Sequence, residues 1–63
     1  MTIGDKIRAA RIEKGWTMRK LSKATGYTEA WLGEIERDRR TASARMLATV
    51  ERALGVKLLD KEE

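Results

Sequence analysis

The chain of 63 residues contains no cysteine, histidine, proline or phenylalanine, and each absence removes a class of chemistry. Without cysteine there is no disulfide, no thiolate nucleophile and no thiolate metal site. Without histidine the commonest general base and the commonest metal ligand are gone. Carboxylates, hydroxyls and lysines remain, on a length that suits one small domain spanning residues 1–63 and offers little room for a pocket. The expectation is a protein that is not an enzyme, with no cofactor, no metal and no small-molecule substrate. Unbroken apolar runs extend only two or three residues. The sequence therefore holds no candidate membrane span or secretory hydrophobic region, and a cytoplasmic setting is expected.

Charge, by contrast, is abundant at 38% of residues, with a net charge of +4. It is unevenly spread. Residues 1–45 carry eleven basic and six acidic side chains, whereas residues 46–63 carry three and four. A basic front half suits a polyanionic partner.

Glycine and hydroxyl residues punctuate the chain. Gly15, Gly26 and Gly55 each follow a helix-like run, where a left-handed residue ends a helix most easily. Three start signals combine an apolar residue, a Thr or Ser N-cap and an apolar residue at the fourth helical position. These are Trp16-Thr17 with Leu21, Tyr27-Thr28 with Leu32, and Ala42-Ser43 with Leu47. Thr2 with Asp5 approximates a capping box. The spacing predicts helices over 3–14, 18–25, 29–37 and 44–54, with a further short turn near 57–61. No segment alternates with period two for long enough to form a strand. The expected core comprises Ile3, Ile7, Ala10, Leu21, Ala24, Leu32, Ile35, Leu47, Val50 and Leu54, its edges closed by Trp16, Tyr27, Met46, Val56 and Leu59. The fold class is all-α.

Residues 17–37 form the informative segment: a short helix, a turn at Thr25-Gly26-Tyr27, and a second short helix. Two helices joined by a tight glycine-containing turn describe a helix-turn-helix. Further matches are Ile7-Arg8-Ala9-Ala10-Arg11, Lys14-Gly15-Trp16-Thr17, Leu21 with Gly26 and Thr28, Trp31-Leu32, Ile35-Glu36-Arg37 and Ala53-Leu54-Gly55-Val56. On these residues the chain resembles the Cro/cI-type, lambda-repressor-like DNA-binding domain over essentially its whole length. The resemblance implies a compact four- to five-helix bundle in which residues 18–25 brace against the DNA backbone and residues 28–37 read bases. It departs from the family in several places. Met18 stands where a phosphate-binding glutamine is usual, Ser22 where a small alanine is usual, Asp38 for a glycine and Ala42 for a loop proline. Those swaps also fit an engineered member.

Roles follow from the resemblance and from local physics. Thr28, Glu29, Ala30, Trp31, Gly33, Glu34 and Arg37 would face the major groove or its rim. Arg19 and Lys20 occupy the first turn of the second helix, where the helix dipole disfavours cations unless a phosphate is seated there. Arg39, Arg40 and Ser43 would contact phosphates from the following loop. The resemblance implies that Arg11 and Glu36 form a structural, partly buried ion pair. Trp31 fits two roles, a half-buried ring over the corner of the motif or an indole N–H donor to DNA. Gly33 is costly inside a helix, and Ile12 falls off the core stripe.

The partner expected is double-stranded DNA, bound sequence-specifically by a monomer or a weak, DNA-dependent homodimer acting in transcriptional regulation. The rival is a helix-turn-helix scaffold that has lost DNA binding and serves as a protein-interaction module or a stability-redesigned fold. Glu29, Glu34 and Met18 favour the rival, because two acids and a thioether sit where DNA contacts belong.

Overall fold

The computed structural model describes residues 2–58. It contains α1 (Ile3–Glu13), α2 (Met18–Thr25), α3 (Glu29–Glu36) and α4 (Ala44–Leu54), with no strand among the described residues. Each helix starts where a hydroxyl residue caps it. The side chains of Thr2, Thr17, Thr28 and Ser43 accept from the backbone N–H groups of Asp5, Lys20, Trp31 and Met46. At α1 the bond is reciprocal: the Thr2 N–H donates to the Asp5 carboxylate at 3.3 Å, completing the capping box.

The ends of α1 and α3 share one hydrogen-bond pattern. Gly15 N–H donates to the Ile12 carbonyl and Trp16 N–H to that of Arg11; Asp38 N–H donates to Ile35 and Arg39 N–H to Glu34. This double bond pattern needs a left-handed residue after the cap. Asp38 supplies it at φ 59°, one of the few side chains that tolerates the region. Both helices consequently stop one residue earlier than their periodicity predicts, at Glu13 and Glu36, with Lys14 and Arg37 as caps.

The core is a single cluster of Ile7, Leu21, Leu32, Ile35, Met46, Leu47, Val50, Leu54 and Leu58. α3 packs on both α1 and α2, and α4 closes the other side against the same two helices. Three core positions, Ala24, Val56 and Met46, differ from expectation. Ala24 is exposed, because α2 turns Leu21 inward with Met18, Ser22 and Thr25 beside it, leaving Ala24 on the outer side. Val56 is 37% exposed, and Leu58 takes the inward position at 2%. The Leu58 N–H donates to the Glu51 carboxylate at 2.6 Å, which draws the segment after α4 back onto the core. Met46 is fully buried rather than an edge residue. Residues 57 and 58 are not helical; the rest of the short helix expected near 57–61, and Leu59, lie outside the described residues.

One close approach was not visible in the hydrophobic pattern. A Cβ placed on Gly4 would collide with the carbonyl oxygen of Ile35 and come within 2.7 Å of the Glu36 carbonyl and an Asp38 carboxylate oxygen. The first turn of α1 therefore lies directly on the end of α3, and Thr2 Oγ1 donates to Asp38 at 2.7 Å across the same junction. Gly4→Ala should destabilise the fold by about 1–3 kcal/mol or more through overpacking against backbone. Leu32→Ala should cost about 2–5 kcal/mol through a cavity between α2 and α3. Urea unfolding of the two variants measures both values, and a wild-type midpoint for either would show that its contact is misplaced.

Candidate nucleic-acid interface

The geometry of the site begins at the α2–α3 turn. Gly26 adopts φ 85°, a conformation that β-branched residues avoid, and lets the chain reverse without strain. Side chains close the polar groups of the turn. Ser22 Oγ donates to the Tyr27 carbonyl at 2.5 Å, Thr25 Oγ1 donates to the Leu21 carbonyl at 2.9 Å, and the Tyr27 N–H donates to Thr25 Oγ1 at 3.3 Å. Serine at 22 is thereby accommodated between the helices: its hydroxyl satisfies a turn carbonyl. Tyr27 and Trp31 pack ring to ring at 4.9 Å and 44° over this corner.

A second restraint sets the angle of α3. The Arg11 guanidinium donates from Nε and Nη2 to both oxygens of Glu36, at 2.8 and 3.2 Å, and from Nη1 to the Trp16 carbonyl at 3.0 Å. Glu36 is 7% exposed. One side chain on α1 thus grips α3 and the α1–α2 turn together, in the bidentate geometry that arginine provides and lysine cannot. The expected structural pair is present.

With its inner face committed, α3 presents the remainder outward. Thr28, Glu29 and Ala30 are exposed, Trp31 and Glu34 half-buried, and Arg37 exposed. Gly33 is buried; the Arg37 guanidinium lies over it, 3.6 Å from where a Cβ would stand. Half-burial of Trp31 and its contact with Tyr27 match the corner-covering role for that ring. Glu34 pairs with Arg40, Nε to Oε1 at 3.0 Å, on the surface. An exposed pair of this kind contributes well under about 1 kcal/mol, so Arg40 can exchange its carboxylate for another anion at little cost.

The cations expected at phosphates fall on the elements either side of α3. The side chains of Arg19 and Arg39 are exposed and make no hydrogen bond or ion pair among the described residues. Lys20 lies 5.7 Å from the centre of the Trp16 ring, which also carries Lys14 at 5.1 Å. That cation–π grouping went unforeseen from sequence, although Lys14-Gly15-Trp16 and Lys20 are near in the chain. Ser43 Oγ accepts the α4 cap bond, and its hydroxyl hydrogen finds no acceptor among the described residues. Thr28 is in the same state at α3.

The family model described as "Helix-turn-helix" matches residues 7–61. An immunity repressor protein of Bacillus phage phi105 is 36% identical over 92% of this chain and 40% of its own length. The clp gene regulator ClgR from Corynebacterium glutamicum superposes with a TM-score of 0.84 and 38% identity, covering 89% of this chain and 73% of that one. The N-terminal DNA binding domain of SinR from Bacillus subtilis superposes with a TM-score of 0.83 and 33% identity, covering 95% and 93% of the two chains. SinR is also solved in complex with DNA. The chain belongs to the helix-turn-helix family of the Cro/cI repressor type. It spans 40% of the phage repressor and 50% of ClgR from Mycobacterium tuberculosis.

Glu36→Gln should cost about 3–5 kcal/mol, because the Arg11 charge would stay partly buried without its carboxylate. Exchanging both Arg11 and Glu36 for apolar residues of similar volume should recover much of that loss. Equilibrium denaturation of the single and double variants checks the pair; a single variant as stable as wild type would mean that the ion pair does not set the α1–α3 geometry.

Proposed function

We propose that the chain is a sequence-specific double-stranded DNA-binding module of a transcriptional regulator, with α3 as the recognition helix in the major groove. The observation that carries this reading is the division of α3. Leu32, Ile35 and Glu36 are buried and held from inside, whereas Thr28, Glu29 and Ala30 are exposed and free of any packing duty. An α-helix about 10–12 Å across fits a groove about 12 Å wide. Phosphate contact is assigned in this reading to Arg19, Lys20, Arg39, Arg40 and Ser43, which lie on the elements either side of α3. The names of its relatives, a phage repressor and a clp gene regulator, support regulation as the setting.

The acidic residues on α3 are compatible with this role. Glu34 is already neutralised by Arg40. Glu29 at the first helical position complements the dipole, worth roughly 0.3–1 kcal/mol, and its carboxylate is suited to accept from cytosine N4.

Binding to a duplex should weaken with salt at about −0.9 log units of affinity per log unit of salt for each phosphate engaged. Arg39→Ala should weaken binding to every sequence alike and flatten the slope by about one. Fluorescence anisotropy across a salt series measures both, and affinity that does not change with salt, or no affinity for any duplex at low salt, sinks the proposal. Glu29→Ala should lose about 1–3 kcal/mol on the preferred site and relax choice at one base pair. Profiles over all single base-pair variants decide it: a uniform gain in affinity with unchanged preferences would remove Glu29 from readout.

A further inference from the structure

A cleft of about 470 Å³ opens between α1, the first residue of α2 and the end of α3, lined by Asp5, Arg8, Arg11, Met18, Gly33, Glu36 and Arg37. Its charges are not equally available. Arg11 and Glu36 consume one another, and the Asp5 carboxylate accepts the capping bond of α1. Arg8 lies one turn beyond Asp5, yet the two form no ion pair, and the Arg8 side chain makes no hydrogen bond to any described residue. The Arg37 side chain makes no hydrogen bond or ion pair among the described residues either; its guanidinium folds back over Gly33 into this cleft. The floor is the half-buried thioether of Met18, which has no donor to offer an anion. Two unspent guanidinium groups therefore wall one recess.

The recess also has a position. Gly33 and Arg37 form one row of α3, and Ala30 and Glu34 form the neighbouring row, which faces Arg40 in a separate shallow groove. Cations consequently stand on both flanks of α3, Arg40 on one and Arg8 with Arg37 on the other. A duplex that receives a helix in its major groove presents a phosphate strand along each flank of that helix.

We infer that Arg8 and Arg37 jointly seat one backbone phosphate of the duplex in this cleft, so that α1 is a DNA-contacting element and Arg37 works at the backbone rather than at base edges. The inference rests on the DNA-binding reading above. Guanidinium suits the task, since its fork donates two parallel bonds to phosphate oxygens. The Asp5 carboxylate offsets only one of the two free positive charges in the cleft, and a phosphate between Arg8 and Arg37 would balance the other.

The test uses the full chain and a short mixed-sequence duplex at low salt, comparing Arg8→Gln, Arg37→Gln and their double variant. Arg52→Gln, on α4 and outside both flanks, is the control for net charge. Each cleft variant should bind roughly five- to tenfold more weakly near 0.1 M salt, with the salt slope flatter by about one, as expected for one phosphate lost. Arg52→Gln should do neither. The double variant should lose less than the product of the single losses, because both arginines serve one phosphate. If wild type binds and Arg8→Gln behaves as Arg52→Gln does, this inference is overturned while the DNA reading stands. Strictly multiplicative losses would overturn the shared seat. Wild type that binds no duplex would overturn both. Unchanged melting of the exposed-residue variants excludes unfolding as the cause of any loss.

Discussion

The Arg11 guanidinium is the constraint on which the rest of the structure depends. It donates to Glu36 on α3 and to the carbonyl of Trp16 in the turn leading to α2, so three segments are aligned by one planar group. Apolar packing could hold these helices at several crossing angles of similar energy, because the hydrophobic effect is non-directional. A bidentate, largely desolvated pair tolerates very little rotation. Its net contribution to stability is modest once the removal of both charges from water is counted. What it contributes is the angle at which α3 leaves the body of the domain, on which the proposed groove-binding role depends.

A second junction works with the first. α1 presses its first turn onto the last carbonyls of α3 at Gly4, and Thr2 caps α1 while donating to Asp38. Asp38 in turn occupies the left-handed position that ends α3 and directs the chain into the Arg39-Arg40 loop. The placement of the basic loop therefore follows from the start of α1 as well as from α3 itself. The outward face of α3 and the core are mechanically one unit.

The charges divide by the same logic. Ion pairs that fix geometry, such as Arg11 with Glu36, are withdrawn from solvent. Those at the surface, such as Arg40 with Glu34, are weak and exchangeable. The side chains of Arg8, Arg19, Arg37 and Arg39 make no hydrogen bond or ion pair among the described residues, which under the proposed function leaves them to an external polyanion. A net charge of only +4 understates this, because acidic residues are spent on caps and pairs while several basic ones are not.

Local chemistry determined much of this protein in one dimension. Thr2, Thr17, Thr28 and Ser43 announce helix starts because their hydroxyls satisfy amides three residues away. Gly15, Gly26 and Gly55 announce helix ends because they adopt positive φ at little steric cost. Such signals act over a few residues, and the element order, the turn at 25–27 and most of the core could be read from them. The family resemblance added the Arg11–Glu36 pair. Tertiary structure alone decided the rest. Ala24 and Val56 look interchangeable with core positions in sequence, but the angle at which each element meets the core turned them outward and brought Leu58 in. Gly4 carries no periodic signal, since its necessity arises from carbonyls of residues 35 and 36 that only folding brings beside it. The approach of Arg8 to Arg37, on helices separated by most of the helix-turn-helix, likewise exists only once α1 and α3 are locked together. Short-range hydrogen bonding is encoded locally, whereas burial and proximity depend on relative orientation, which no local pattern specifies.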